Sequence, residues 1–309
     1  MNFTASTISK KNYSVRVLNE AGIPAIEIKG GELPLVDKTF DCGQCFRFEK
    51  VEKGRHEHEW GGVAFGKYVS FANENDALYI YNSTEKDFCD IWFDFLDLGT
   101  DYSEIEKDIL SRSANPALER AVKFGRGIRI LRQDRWEALC SFIISQNNNI
   151  PRIKKIVSSL CQSMGEKIDT ALLSGHGAPD ISYSFPDAAT VTRRGVDELR
   201  DLKTGFRAKY IYDAAERVSE GRLSLDEVLS MPTASAKDKL CEIKGVGPKV
   251  ASCTLLFGFG KYDAFPIDVW IKRAVEKYFS KEFDPEALGE YAGVAQQYLF
   301  YYERYLGGE

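Results

Sequence analysis

The sequence predicts an α+β protein with an antiparallel β-sheet domain at residues 1–115 and a mainly α-helical domain at 116–309. Three observations carry this. Short alternating segments separated by Gly, Asn and Asp turns fill the first hundred residues. From about Tyr102 the apolar residues recur with a helical period instead. Between two helical runs sits Gly245-Val246-Gly247-Pro248-Lys249, a tight glycine hairpin followed by a helix start, within a hairpin unit spanning 237–257.

The strand segments are SVRVL, AIEIKG, CFRFEKV, VAFGKYVSFAN and ALYIYN, and KDFCDIWFDFLDL opens the helical cover of the sheet. Helices are expected over SEIEKDILSRS, NPALERAVKFG and DRWEALCSFIISQ, where Trp136, Leu139, Phe142 and Ile143 share a face. Gln146-Asn147-Asn148-Asn149 interrupts, and Pro151 restarts a helix with Ile153, Ile156, Val157 and Leu160 on its apolar side. Residues 165–186 read as a loop excursion. Helices follow at VDELRDL, AKYIYDAAERV and LDEVLSM. The helix after Pro248 is expected to stop at Gly258 and Gly260, and EALGEYAGVAQQYLFYYERYL to form one long terminal helix.

Composition narrows the function classes. A length of 309 residues suits two or three domains, and the 44% hydrophobic and 28% charged residues are those of an ordinary globular chain. No apolar run approaches membrane-spanning length, and the N-terminal stretch lacks a secretory pattern, so an intracellular protein is expected. Seven cysteines read as free thiols in a reducing compartment. Cys42 and Cys45, with His56 and His58 following, match standard zinc spacing poorly, and no metal site is assigned. Three histidines with no constellation argue against histidine-based catalysis.

The hairpin amides and the helix start converge to make an anion site suited to a nucleic-acid phosphate. Its bland counterpart is a solvated lysine after a glycine-rich turn, and the motif alone leaves the two evenly matched. A net charge of −5 requires any nucleic-acid face to gather its basic residues locally. Arg120, Lys123, Arg126, Arg129, Arg132 and Arg135 form one such run, and Lys237, Lys239, Lys244 and Lys249 another. Asp268, just before VWIKRAVEKYF, reads as a helix N-cap.

At this point the residues resemble a known family. KGVGPKVASC with Asp268 nineteen positions after the lysine is similar to the helix-hairpin-helix DNA glycosylases, and the lysine to their bifunctional, strand-cutting members. CGQCFRF, GIRILRQDRWEALCSFIISQNNNIPRI, ELRDLKTGFRAKYI and YAGVAQQYLF narrow the resemblance to the 8-oxoguanine DNA glycosylases. Two positions depart from that pattern: Trp270 replaces a common histidine, and Pro248 replaces a threonine or arginine. No four-cysteine iron–sulfur loop is present in the sequence.

The resemblance implies a monomeric glycosylase and lyase that flips 8-oxoguanine out of damaged duplex DNA, preferably opposite cytosine. It implies Lys249 as the nucleophile that forms a Schiff base and leads to β-elimination, with Asp268 stabilising charge on the sugar. Gly43, Cys253, Gln296 and Phe300 would form the base pocket, the Gly43 carbonyl accepting from the N7–H that guanine lacks. Asn147 would fill the vacated space, Arg152 and Arg207 would read the orphaned cytosine, and Phe206 would wedge the stack. Lys244, Gly245 and Gly247 would hold a phosphate. No cofactor is implied, beyond a structural cation on the hairpin carbonyls. The competing readings are a glycosylase of the same fold for an alkylated purine, and a non-catalytic DNA-binding protein. Lys249 argues against the first, and its pairing with Asp268 and a purine-shaped pocket against the second.

Overall fold

A computed structural model describes residues 7–10, 12–20, 22–279 and 283–306. The outermost residues of the two expected domains, 1–6 and 307–309, lie outside the described residues.

The first part is a seven-stranded antiparallel sheet in the order β1-β2-β3-β7-β6-β5-β4. The strands are β1 (Thr7–Lys10), β2 (Tyr13–Glu20), β3 (Ile23–Lys29), β4 (Phe48–Lys50), β5 (His58–Ala64), β6 (Lys67–Glu74) and β7 (Ala77–Tyr81). Two tight hairpins set its register. Phe65-Gly66 and Asn75-Asp76 all have positive φ, which matches the right-handed twist of the strands they join. The single segment VAFGKYVSFAN is therefore two strands around Phe65-Gly66, and CFRFEKV contributes only β4.

Helix α1 (Val36–Asp41) and the helical stretch 85–95 cover one face of the sheet; the latter runs through α2 (Glu85–Asp87), a π turn and α3 (Phe93–Phe95). Phe40, Phe71, Trp92 and Phe95 pack there as interlocked rings, with the Phe40 and Phe71 centroids 5.3 Å apart.

The helical part follows as α4 (Tyr102–Arg112), α5 (Pro116–Gly125), α6 (Arg135–Ser145) and α7 (Ile150–Met164). Asp101, Asn115, Asp134 and Asn149 each N-cap one of these with a side-chain oxygen, which is why the chain restarts a helix at those points. The excursion at 165–186 is more ordered than a loop, because β8 (Lys167–Asp169) and β9 (Ile181–Tyr183) pair as a small hairpin. Then come α8 (Ala188–Asp201), α9 (Ala208–Ser219), α10 (Leu225–Ser230), α11 (Thr233–Cys241), α12 (Pro248–Phe259), α13 (Val269–Tyr278) and α14 (Ala292–Leu306).

Helix α12 is the centre of the helical core: every residue from Val250 to Phe259 is buried. Two expected boundaries differ here. Gly258 lies inside α12 rather than ending it; the helix stops at Gly260, which adopts φ +64. The terminal helix begins at Ala292 rather than at Glu286, because Gly289 turns to φ +72 and leaves 285–291 as a separate short helix.

Candidate active site

Lys249 is the second residue of α12, entered through the hairpin after α11. Gly245 has φ +77, and a Cβ there would stand 2.4 Å from the Tyr210 ring, so only glycine fits. Gly247 differs from the expectation of a second left-handed residue. Its backbone is extended, φ −98 and ψ 178, and a Cβ would meet nothing within 4 Å. What Gly247 leaves is open space beside the uncapped start of α12, where no side-chain oxygen occupies the amides. Val246 is buried and pins the hairpin to the core.

A cavity of about 390 Å³ opens next to this helix start. Lys249, Cys253, Gly43, Gln296, Phe300 and Asp268 all line it, although they come from four separate segments. Cys253 lies one turn below Lys249 on the same face. Burial raises its pKa, with Lys249 partly opposing, so the sulfur is held as a neutral thiol. Gly43 has φ +75, and a Cβ on it would come 3.3 Å from the Phe300 ring, which brings its backbone to the cavity wall. Gln296 is 4% exposed and its Oε1 has no hydrogen-bond partner among the described residues. A buried amide oxygen in that condition is a bonding position held for a ligand or water.

Asp268 caps α13, accepting from the Ile271 amide at 2.8 Å. This holds the carboxylate at the cavity edge. Trp270 also lines the cavity, 37% exposed, with the Arg273 guanidinium 5.3 Å from its ring centre.

Comparison with known proteins resolves the family. Residues 26–139 match the 8-oxoguanine DNA glycosylase N-terminal domain, and residues 140–290 the HhH-GPD superfamily of base-excision DNA repair proteins. The chain superposes on MBOgg1, solved in complex with a low-affinity DNA ligand, with TM-score 0.83 and 40% identity, covering 99% of this chain and 100% of that one. It also superposes on Clostridium acetobutylicum 8-oxoguanine glycosylase/lyase, solved with DNA containing cytosine opposite 8-oxoguanine (TM-score 0.81, 35% identity, 98% and 99% covered). The chain belongs to the 8-oxoguanine DNA glycosylase family. A Saccharomyces cerevisiae N-glycosylase/DNA lyase is 36% identical over 164 residues, which span 49% of this chain and 42% of the yeast protein.

The remaining residues expected at a glycosylase's DNA face divide into two groups. Asn147 is exposed with φ +47, Arg152 is exposed at the start of α7, and Phe206 is 50% exposed, edge-on to Tyr210. Lys244 is exposed beside the hairpin.

Arg207 does not face outward. It is 3% exposed, and its guanidinium donates to the carbonyls of Gln146 at 2.8 Å, Asn147 at 3.1 Å and Thr204 at 3.3 Å. Burial, then the nearby Arg152 charge, lowers its pKa. In this state it holds the turn that presents Asn147, because the backbone carbonyls of that turn have no helix partners and take the guanidinium instead.

The basic run at 120–135 is likewise divided: Arg120 and Lys123 are exposed, while its other four members are engaged within the protein. Arg129 is 1% exposed over the Tyr102 ring, Arg126 pairs with Glu106, Arg132 with Asp97, and Arg135 with Asp226. Arg129 and Arg132 tie this segment to residues 32 and 97 of the N-terminal part, whereas Arg126 and Arg135 pair within the helical part, with α4 and α10. Cys42 and Cys45 also part company: one packs in the helical core and the other in the sheet core, while His58 pairs with Asp37.

Sequence reasoning missed Ser145, whose Oγ accepts from the Lys249 amine at 3.3 Å. It also missed Gln297, which fixes the loop before Gly43 by donating to the Cys42 carbonyl at 2.8 Å. Neither contact has a sequence signal; the partners are separated by 104 and 255 positions.

Proposed function

We propose that this chain excises 8-oxoguanine from duplex DNA, preferentially opposite cytosine, and cuts the strand through a Schiff base on Lys249. The observation that carries the reading is the convergence of Lys249, Cys253, Gly43, Gln296, Phe300 and Asp268 on one cavity of about 390 Å³, a volume suited to a single extruded purine nucleotide.

The free amine of Lys249 attacks C1′ of the extruded nucleotide. The C1′–N9 bond breaks, and the base leaves with the bonding electrons. Opening of the sugar ring gives an iminium between Lys249 Nζ and C1′, which acidifies the C2′ proton. Loss of that proton expels the 3′ phosphate by β-elimination. Asp268, at the cavity edge, stabilises the positive charge that develops on the sugar. The base stacks between the neutral Cys253 thiol and the Phe300 ring, and Gln296 bonds its Watson–Crick edge. The Gly43 carbonyl accepts the N7–H of 8-oxoguanine; guanine offers a lone pair there and is rejected by repulsion and an unmade bond.

On the opposite strand Asn147 occupies the vacated space and Arg152 reads cytosine, while Arg207 supports their turn from behind. Phe206 wedges the stack. Lys244, Gly245 and Gly247 receive a phosphate, and a cation on the hairpin carbonyls would firm that contact. The working form is an intracellular monomer on DNA. Among the described residues no helix is long and apolar enough to cross a membrane.

Release of free base from matched duplexes containing 8-oxoguanine or 3-methyladenine, each opposite cytosine, tests the substrate assignment. Release of 8-oxoguanine alone is expected. Preferential release of the methylated purine would replace this reading with that of an alkylated-base glycosylase.

A further inference from the structure

The structure assigns Ser145 as a positioning residue for the nucleophile, a role that rests on the reading of Lys249 as the Schiff-base lysine. Ser145 is the last residue of α6, and its Oγ lies 3.3 Å from Lys249 Nζ. Its own proton is already committed, donated to the Phe142 carbonyl at 2.8 Å. Toward Lys249 the hydroxyl is therefore an acceptor only.

That polarity matters for an amine nucleophile. A neutral amine has two N–H bonds and one lone pair. An acceptor that holds an N–H turns the lone pair away from itself, and Ser145 and Lys249 both line the cavity, so the amine is held at the cavity wall with its lone pair free. A carboxylate in the same place would favour the unreactive ammonium form. The described ion pairs include none for Lys249, and the sulfur beneath it is a neutral thiol. The Phe142 ring also faces the amine, its centre 5.9 Å from Nζ.

The contact is also rigid. Its two ends belong to α6 and α12, which pack so closely that a Cβ at Gly258 would stand 2.8 Å from the Ala138 Cβ. The separation of Ser145 and Lys249 is thus set by a helix pair in the core, not by a surface loop, as a preorganised nucleophile requires.

The test measures single-turnover borohydride trapping on a duplex containing an abasic site, where no base recognition is involved. Wild type is compared with Ser145→Ala, Ser145→Cys and Ser145→Thr, with affinity for the same duplex measured alongside. Loss of the acceptor in the Ala and Cys variants is expected to slow trapping by about tenfold or more, with affinity within about twofold. Ser145→Thr, which keeps the hydroxyl, is expected to restore most of the rate. If Ser145→Ala fails to fold, Ser145→Cys, which preserves volume, decides alone. Trapping at the wild-type rate in the Ala or Cys variant overturns the assignment, as does a Thr variant no faster than Cys, which would make the role steric. Absence of any adduct with wild type is a different failure, that of the Lys249 reading itself.

Discussion

Gly258 of α12 and Ala138 of α6 are in backbone-to-side-chain contact, and a Cβ at 258 would approach the Ala138 Cβ to 2.8 Å. This close approach brings the start of α12, with Lys249, to the end of α6, with Ser145. Gly258→Ala is expected to force the helices apart and destabilise the chain by about 1–3 kcal/mol. Thermal unfolding measures the loss, and pairing Gly258→Ala with Ala138→Gly is expected to recover part of it. No recovery in the double variant would show that the strain lies elsewhere.

Asp268 has two duties that substitution can separate. Asn caps a helix about as well as Asp, so Asp268→Asn should unfold within about 0.5 kcal/mol of wild type while losing base excision. Asp268→Ala should lose both, with a stability cost of about 1 kcal/mol from the missing cap. Full excision by a folded Asp268→Asn protein would remove the charge from the mechanism.

Arg152 and Arg207 should behave oppositely, although both were expected to read cytosine. Arg207→Ala leaves the buried Thr204 carbonyl and the partly buried carbonyls of residues 146 and 147 without their donor, which costs about 1–3 kcal/mol. Arg152→Ala removes an exposed side chain and should leave unfolding unchanged, while narrowing the rate difference between cytosine and other opposite bases. Equal thermal stability of the two variants would contradict the support role given to Arg207.

Glu137 supplies a pH prediction remote from the chemistry. Burial raises its pKa to about 7, against the opposing pull of Arg47, whose guanidinium is 3.3 Å away. A carboxyl whose folded pKa is raised favours the folded state most below its unfolded value near 4.5, and that contribution disappears as pH rises through about 7. Glu137→Gln should therefore gain stability relative to wild type as pH rises from 4.5 to 7, by on the order of 1–3 kcal/mol, and level off above. A difference in unfolding midpoint that stays flat across this range would refute it.

Much of this was legible in sequence because local chemistry carried it. Pro248 at a helix start, Asp268 before an amphipathic run, and glycine at 245 are each dictated by their own backbone needs, so the motif announced itself. The failures share a different cause. Gly258 looked like a helix stop because its packing partner is 120 positions away in the chain; Arg129 looked like part of a nucleic-acid face because one of the partners that bury it, the Glu32 carbonyl, is 97 positions away. Arg207 belonged to a recognisable segment, yet its burial depends on carbonyls of the turn at 146–147, which only the fold delivers. Residues 165–186 lack strand periodicity because β8 and β9 are three residues each, too short to show it.

The most direct measurement is borohydride trapping on an 8-oxoguanine:cytosine duplex, followed by peptide mapping of the adduct. The account predicts a covalent protein–DNA product carried on Lys249 and lost in Lys249→Gln. Tight binding with base release but no adduct, or an adduct mapped to any other lysine, would contradict it.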